Sequence, residues 1–139
     1  MRRITACILA LLGVASVLGA KGPANEVMKA LPDCTIKGDA YSGYLTVTET
    51  KKLHYVYVAS QDKETDPVVL WFNGGPGCSS LEGFFNEHGP CIIEDGETQI
   101  KPNPYSWNLR AHMVYIESPA GVGFSIGEDE DDKIHTDMS

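Results

Sequence analysis

The chain has 139 residues, of which 42% are hydrophobic and 22% are charged, a composition typical of one globular domain at most. It excludes a disordered chain, a collagen-like repeat and a coiled coil. Because the chain has 19 acidic and 11 basic residues, its net charge is negative. It would repel a phosphate polymer, and no nucleic-acid partner is expected.

Residues 1–20 have the pattern of a secretory signal peptide. Arg2 and Arg3 give a basic start, an apolar run begins at Ile8, and small residues end the segment. The apolar run is shorter than the ~20 residues that a membrane span needs, and no later run is longer. We therefore predict a mature part, residues 21–139, that enters the secretory pathway without a membrane span. Its expected destination is a lysosome, a vacuole or the outside of the cell.

The cysteines predict disulfide chemistry with one partner missing. They lie at positions 7, 34, 78 and 91. Loss of Cys7 with the signal peptide leaves an odd number in an oxidising compartment. Cys34 and Cys91 could pair with each other, but spacing alone leaves the connectivity open. The sequence has no C-x-x-C or H-E-x-x-H spacing, so we expect no metal site, and nothing predicts a cofactor.

The first predicted elements are strands. Residues 41–48 and 53–59 are rich in β-branched and aromatic residues and are joined by a short polar segment, which predicts an antiparallel hairpin with one solvated face. Residues 68–72 are apolar without alternation and follow Pro67, which is typical of a strand buried on both faces. Such strands lie inside α/β sheets, so the fold class predicted is α/β.

A glycine-rich loop, residues 73–77, follows this strand and should allow close approach of a ligand to the backbone. The S-x-x-E spacing of Ser79 and Glu82 then predicts a capping box and a short helix over 80–88. A second hairpin is predicted over 91–94 and 98–101, around a D-G turn, and another apolar strand over 112–117.

The segment WFNGGPGCSS at residues 71–80 resembles the signature of the serine carboxypeptidases, peptidases of family S10 with an α/β-hydrolase fold. Three further segments resemble the same family in the same order: residues 41–45, 103–108 and 117–125. The resemblance implies the amino-terminal part of an α/β-hydrolase domain, with a mixed sheet that is incomplete in this chain. It implies a peptidase that releases C-terminal residues from peptides through an acyl-enzyme.

The resemblance also implies roles for individual residues. The Gly75 backbone N–H would stabilise the oxyanion, because acyl transfer needs amide donors where negative charge develops. Trp71, Asn73, Gly74 and Glu87 would bind the C-terminal carboxylate of the substrate; we call these four residues the carboxylate site. Glu87 lies in the last turn of the predicted helix, at the negative end of the helix dipole. That end and a bound substrate carboxylate both favour the neutral form of the Glu87 side chain, which implies an acidic working pH.

Cys78 resembles a family disulfide cysteine whose partner would lie beyond Ser139. Without the family pattern, Trp71 would serve equally well as a core residue and Asn73 as a brace of the turn, and Glu87 would more readily be a solvated helix residue than a ligand.

No catalytic triad is predicted within the chain. Ser79 and Ser80 lack the G-x-S-x-G pattern of a nucleophile and are expected to cap the helix. The histidines, at 54, 88, 112 and 135, are scattered over different elements, and none is assigned as a base. Two alternatives to the peptidase stay open: an acyltransferase on the same scaffold, and a truncated secreted chain without catalysis.

Overall fold

The computed structural model describes residues 26–28 and 30–128. The predicted signal peptide, Cys7 and His135 lie outside this part of the chain. Within it, no helix is both long enough and apolar enough to cross a bilayer.

The described residues form one mixed sheet and two small hairpins. In chain order the strands are β1 (Glu26–Val27), β2 (Ala30–Leu31), β3 (Cys34–Thr35), β4 (Ala40–Thr46), β5 (Lys51–Val58), β6 (Val68–Trp71), β7 (Cys91–Ile93), β8 (Ile100–Pro102), β9 (His112–Ile116) and β10 (Ile126–Gly127). The sheet order is β1-β4-β5-β9-β6, with β10 also paired to β5. Only β6 and β9 among these are parallel neighbours. The small hairpins are β2-β3 and β7-β8.

The two predicted hairpins are confirmed. Strands β4 and β5 pair antiparallel over 40–46 and 52–58, and alternate residues of β5, namely His54, Val56 and Val58, are buried. Strands β7 and β8 flank the predicted D-G turn, where Gly96 has a φ of +79°. In both cases local alternation and turn residues determine the pairing.

The prediction that β6 is buried on both faces is wrong for the described chain. Val68 and Leu70 are 61% and 58% exposed, whereas Val69 and Trp71 on the opposite face are partly buried against the core. The reason is that no described element covers this outer face of β6, which lies at the end of the sheet beside β9. Its apolar outer residues are thus left facing solvent, which is typical of a surface that another element covers.

The segment after the glycine-rich loop is helical, but its form differs from the prediction. Leu81 and Glu82 are α-helical and Gly83–Glu87 is a π-helix, in which the His88 N–H donates to the Gly83 carbonyl over 3.0 Å. The predicted capping box is wrong: the Ser79 hydroxyl accepts from the Leu81 N–H at 3.2 Å, but the Glu82 carboxylate accepts from Asn73 instead. A 3-10 helix, Trp107–Leu109, precedes β9.

The core lies between this helix and the inner face of the sheet. Its largest buried apolar side chains are those of Tyr115, Phe84, Met113 and Val58, and the Phe84 ring packs edge-on against Tyr115 at 5.1 Å. A disulfide joins Cys34 of β3 to Cys91 of β7, which resolves the pairing that the sequence left open. Cys78 is a free, exposed cysteine, and its partner beyond Ser139 stays a prediction.

Candidate active site

The glycine-rich loop leaves the sheet at the carboxyl end of β6, beside the carboxyl end of the parallel strand β9. Gly75 has a φ of +131° and Gly77 one of +94°, conformations that side-chain-bearing residues rarely adopt. A Cβ at Gly75 would lie 3.0 Å from the backbone nitrogens of Gly77 and Cys78. Glycine is therefore required at position 75 by both conformation and space.

The Gly75 backbone N–H is a free donor. The loop is closed by the Cys78 N–H, which donates to the Gly74 carbonyl at 3.2 Å, and no described residue accepts a hydrogen bond from Gly75. Gly75 itself is exposed. An exposed amide on a loop fixed at both ends can donate to an anionic ligand without breaking a bond within the protein.

Trp71 and Asn73, two residues of the predicted carboxylate site, are in direct contact. The Trp71 Nε1–H donates to Asn73 Oδ1 over 2.7 Å, and the Asn73 side-chain amide donates to Glu82 over 3.0 Å. The Asn73 backbone N–H donates to the Ser80 hydroxyl, which in turn donates to the Ile116 carbonyl at the end of β9. Asn73 is thereby held at both its backbone and its side chain.

Glu87 lies at the end of the π-helix, as the sequence predicts, and its side chain is about half exposed. No hydrogen bond connects it to Trp71 or Asn73. The connection runs through His88, whose ring packs against the Trp71 ring at 4.2 Å. Trp71 therefore contacts both Asn73 and His88, the residue next to Glu87. Gly74, which follows Asn73 in the loop, is exposed.

A buried network under the loop was missed by the sequence analysis. Glu117 is fully buried, and its carboxylate accepts from the Ser79 hydroxyl, from the Phe124 N–H at 2.7 Å and from His54 Nδ1 at 3.0 Å. Three segments distant in sequence thus meet at one carboxylate. The only available signal was Glu117 itself, an acidic residue directly following an apolar strand.

The network extends from His54 to Ser42. In the neutral imidazole with its proton on Nδ1, His54 donates to the Glu117 carboxylate, and Nε2 accepts from the Ser42 hydroxyl at 2.8 Å. This is the connectivity of a Ser-His-acid triad. Ser42, however, lies in the middle of β4 with paired strands on both sides, where the backbone amides serve the ladder and not an oxyanion. We therefore assign the network a supporting role.

The described part of the chain contains no cluster of three or more His, Cys, Asp or Glu side chains suited to a metal ion. The groups around the loop are amides, hydroxyls and carboxylates, which suit acid-base and acyl-transfer chemistry.

Comparison with known proteins agrees with this geometry. The sequence profile of the serine carboxypeptidases, peptidase family S10, matches residues 32–139. The chain belongs to the serine carboxypeptidase family. The match includes the loop, the π-helix and the Glu117 segment, so each lies within the family's own domain.

Individual relatives support the assignment. The chain is 56% identical over 91 residues to lysosomal protective protein from Mus musculus, covering 65% of this chain and 19% of that protein. It is 38% identical over 138 residues to serine carboxypeptidase-like 20 from Arabidopsis thaliana, covering 92% of this chain and 28% of that protein. The chain therefore spans about a fifth of the first relative and just over a quarter of the second.

A solved structure shows the same fold. The crystal structure of KEX1(delta)p, a prohormone-processing carboxypeptidase from Saccharomyces cerevisiae, superposes with a TM-score of 0.56 at 26% identity. The match covers 69% of this chain and 22% of that one. The mixed sheet with few helices is accordingly part of the α/β-hydrolase fold of this family.

Proposed function

We propose that residues 21–139 form the amino-terminal part of a serine carboxypeptidase, which removes C-terminal residues from peptides in the secretory pathway. Residues 1–20 would direct the protein there as a cleaved signal peptide. The relative named lysosomal protective protein favours a lysosomal destination. The acidic excess of the chain disfavours a phosphate polymer as a partner, and the carboxylate site suits a peptide with a free C-terminus.

The free N–H of Gly75 is the observation that carries this proposal. It lies on a loop whose two ends are held by the sheet, at the edge where β6 and β9 both end. An oxyanion that develops there would find a donor already in place, and such fixed donors contribute a large share of catalysis in acyl transfer. The nucleophilic serine, its histidine and its aspartate would be supplied from outside this chain.

The roles within the chain then follow in order. Trp71, Asn73, Gly74 and Glu87 bind the C-terminal carboxylate of the substrate, which places the last peptide bond beside Gly75. Attack by the serine turns the carbonyl oxygen into an oxyanion, and the Gly75 N–H donates to it. Collapse of this intermediate expels the terminal amino acid and leaves the acyl-enzyme for water. Glu117 and His54 hold Ser79, and with it the far end of the loop, in position.

The carboxylate site is tested in the complete protein with a blocked dipeptide in two forms, one with a free C-terminus and one amidated. We expect Asn73→Ala to lower kcat/KM for the free acid by roughly ten- to a hundredfold at every pH, since a hydrogen bond to a charged group contributes ~1.5–3 kcal/mol. Glu87→Gln keeps a neutral donor and is expected to lose less at neutral than at acidic pH.

The amidated substrate is the control, because it lacks the carboxylate that these residues are proposed to bind. Both variants are expected to approach wild-type kcat/KM on the amide. Equal losses on both substrates would mean that Asn73 and Glu87 only support the loop. Transfer of the acyl group to an alcohol in preference to water would identify an acyltransferase instead.

A further inference from the structure

His88 lies in an aromatic cage beside the carboxylate site. Its ring stacks on Trp107 at 4.3 Å and on Tyr115 at 5.6 Å, and meets the Trp71 ring nearly perpendicularly at 4.2 Å. The residue is only 5% exposed. Contacts on three sides prevent the ring from rotating or shifting, so the directions of its two nitrogens are fixed.

The two nitrogens have different surroundings. Nδ1 lies 3.1 Å from the Tyr115 hydroxyl, whereas Nε2 is buried and has no hydrogen-bond partner among the described residues. The carboxylate oxygen Oε2 of Glu87 lies 4.0 Å from Nε2, just outside hydrogen-bond range. A buried polar atom without a partner is rare in folded proteins and calls for an explanation.

The Tyr115 hydroxyl determines which nitrogen carries the proton. Burial raises the pKa of Tyr115 far above the physiological range, so the hydroxyl keeps its proton. No described acceptor other than His88 Nδ1 lies within reach of that hydroxyl, so it donates to Nδ1. The proton of neutral His88 then resides on Nε2 and points into the space next to Glu87.

We propose that His88 is a positioning residue whose Nε2–H donates to one oxygen of the Glu87 carboxyl and thereby turns the other oxygen toward the substrate carboxylate. This inference rests on the proposed function of Glu87. The ring is enclosed by its neighbours, whereas the Glu87 side chain is about half exposed and can close the remaining distance by a change of rotamer. Nothing else in the described chain satisfies the Nε2–H.

The proposed contact needs a neutral imidazole. Burial lowers the pKa of His88, and this effect outweighs the opposing charge of Glu87. Glu87 and Tyr115 are the titratable groups that the structure places in contact with the ring; the other two cage residues, Trp71 and Trp107, carry no charge. A neutral N–H can donate to the carbonyl oxygen of a protonated Glu87, whereas an imidazolium would favour its ionised form.

Kinetics of the complete protein test the role of the N–H. His88→Phe keeps a ring in the cage and removes the donor, and His88→Gln keeps an amide donor in a similar place. We expect His88→Phe to raise KM for a free-acid dipeptide about three- to tenfold with little change in kcat and none for the amide. His88→Gln is expected to recover part of the loss.

The matched control is His112→Phe. His112 also binds a tyrosine hydroxyl through Nδ1, that of Tyr57 at 2.8 Å, but it lies outside the carboxylate site. This variant is expected to leave KM for the free acid unchanged. An equal loss on acid and amide in His88→Phe, or no loss at all, would overturn the positioning role.

Nitrogen NMR of the complete protein, with ¹⁵N-labelled histidine, separates this inference from the proposed function. The expected signal for His88 is that of the Nε2–H tautomer, and Glu87→Gln should shift the Nε2 resonance while His112 stays unchanged. A protonated Nδ1, or an Nε2 signal indifferent to Glu87, would overturn the inference even if the protein is a carboxypeptidase. If the protein hydrolyses no peptide, the proposed function fails and this spectrum alone decides the contact.

Discussion

Gly75 shows how one residue type can be required for reasons of both backbone and space. Its φ of +131° disfavours any side chain, and the nearest backbone nitrogens lie 3.0 Å from where a Cβ would be. Gly75→Ala must therefore displace the loop and its N–H. Because removal of one oxyanion donor lowers kcat ~10²–10³-fold, we expect a fall of about a hundredfold in kcat with a smaller change in KM, measured in the complete protein.

The control for this variant is Gly96→Ala. Gly96 also has a positive φ, +79°, but it lies in the exposed β7-β8 turn, where an added Cβ meets nothing within 4 Å. Both variants therefore strain the backbone, but only Gly75→Ala changes the glycine-rich loop. A similar loss of kcat in Gly96→Ala would attribute the effect to stability and not to the oxyanion donor.

Glu117 should contribute to stability through the groups that it satisfies. In Glu117→Gln an amide nitrogen replaces one acceptor oxygen, and at least one of the three donors from Ser79, His54 and Phe124 loses its partner. We expect the free energy of unfolding to fall by about 2–4 kcal/mol, measured by denaturant titration of the complete protein.

The comparison is Glu94→Gln, because Glu94 forms an exposed ion pair with Lys101 at 3.1 Å. Such surface pairs contribute less than about 1 kcal/mol. A Glu117→Gln variant as stable as Glu94→Gln would mean that the buried network is not held together by the carboxylate.

At the level of elements, the disulfide connects parts of the chain that hydrogen bonds leave separate. Cys34 and Cys91 are 57 residues apart and join β3 to β7, which belong to different hairpins. Cross-linking a loop of this length stabilises a domain by about 2–5 kcal/mol, largely by restricting the unfolded chain. We expect the double variant Cys34→Ser/Cys91→Ser to lose that much stability in chemical denaturation.

Reduction provides the check on the disulfide prediction. Wild-type protein in excess dithiothreitol should approach the stability of the double variant, which itself should not respond to the reductant. A variant as stable as the oxidised wild type would show that the packing of β3 against its neighbours suffices without the bond.

The elements that sequence predicted well are those specified by neighbouring residues. The β4-β5 and β7-β8 hairpins each follow from alternation and turn residues within one short continuous segment of the chain. The exposure of Val68 and Leu70 depends on which strand and which covering element lie beside β6, and no local pattern contains that information. Glu82 illustrates the same limit, because its spacing predicts a cap whereas Asn73 offers a competing donor.

The same distinction between local and distant determinants applies to the candidate site. The glycine-rich loop and Glu87 could be located from the sequence because each belongs to a recognisable segment. The Glu117 network could not, since its partners Ser79 and His54 are 38 and 63 residues away along the chain. Local propensity also could not predict the π-helix, which places His88 against Trp71. The hydrogen bond from the His88 N–H to the Gly83 carbonyl, 3.0 Å long, differs from an α-helical one by a single residue of spacing.

For the molecule as a whole, we propose that this chain supplies the oxyanion donor and the carboxylate site, and that the nucleophile comes from elsewhere in the protein. The alternative within the chain is Ser42, whose bond to His54 and onward to Glu117 has the connectivity of a triad. Its place in a strand paired on both sides argues against attack on a substrate.

Labelling of the complete protein with an active-site serine phosphonate, followed by mapping of the modified peptide, tests this claim most directly. We predict one label per protein, on a serine outside residues 1–139, within a G-x-S-x-G segment. A label on Ser42, Ser79 or any other serine of this chain would contradict the claim. The absence of any label from a protein that hydrolyses the free-acid dipeptide would contradict the serine mechanism itself.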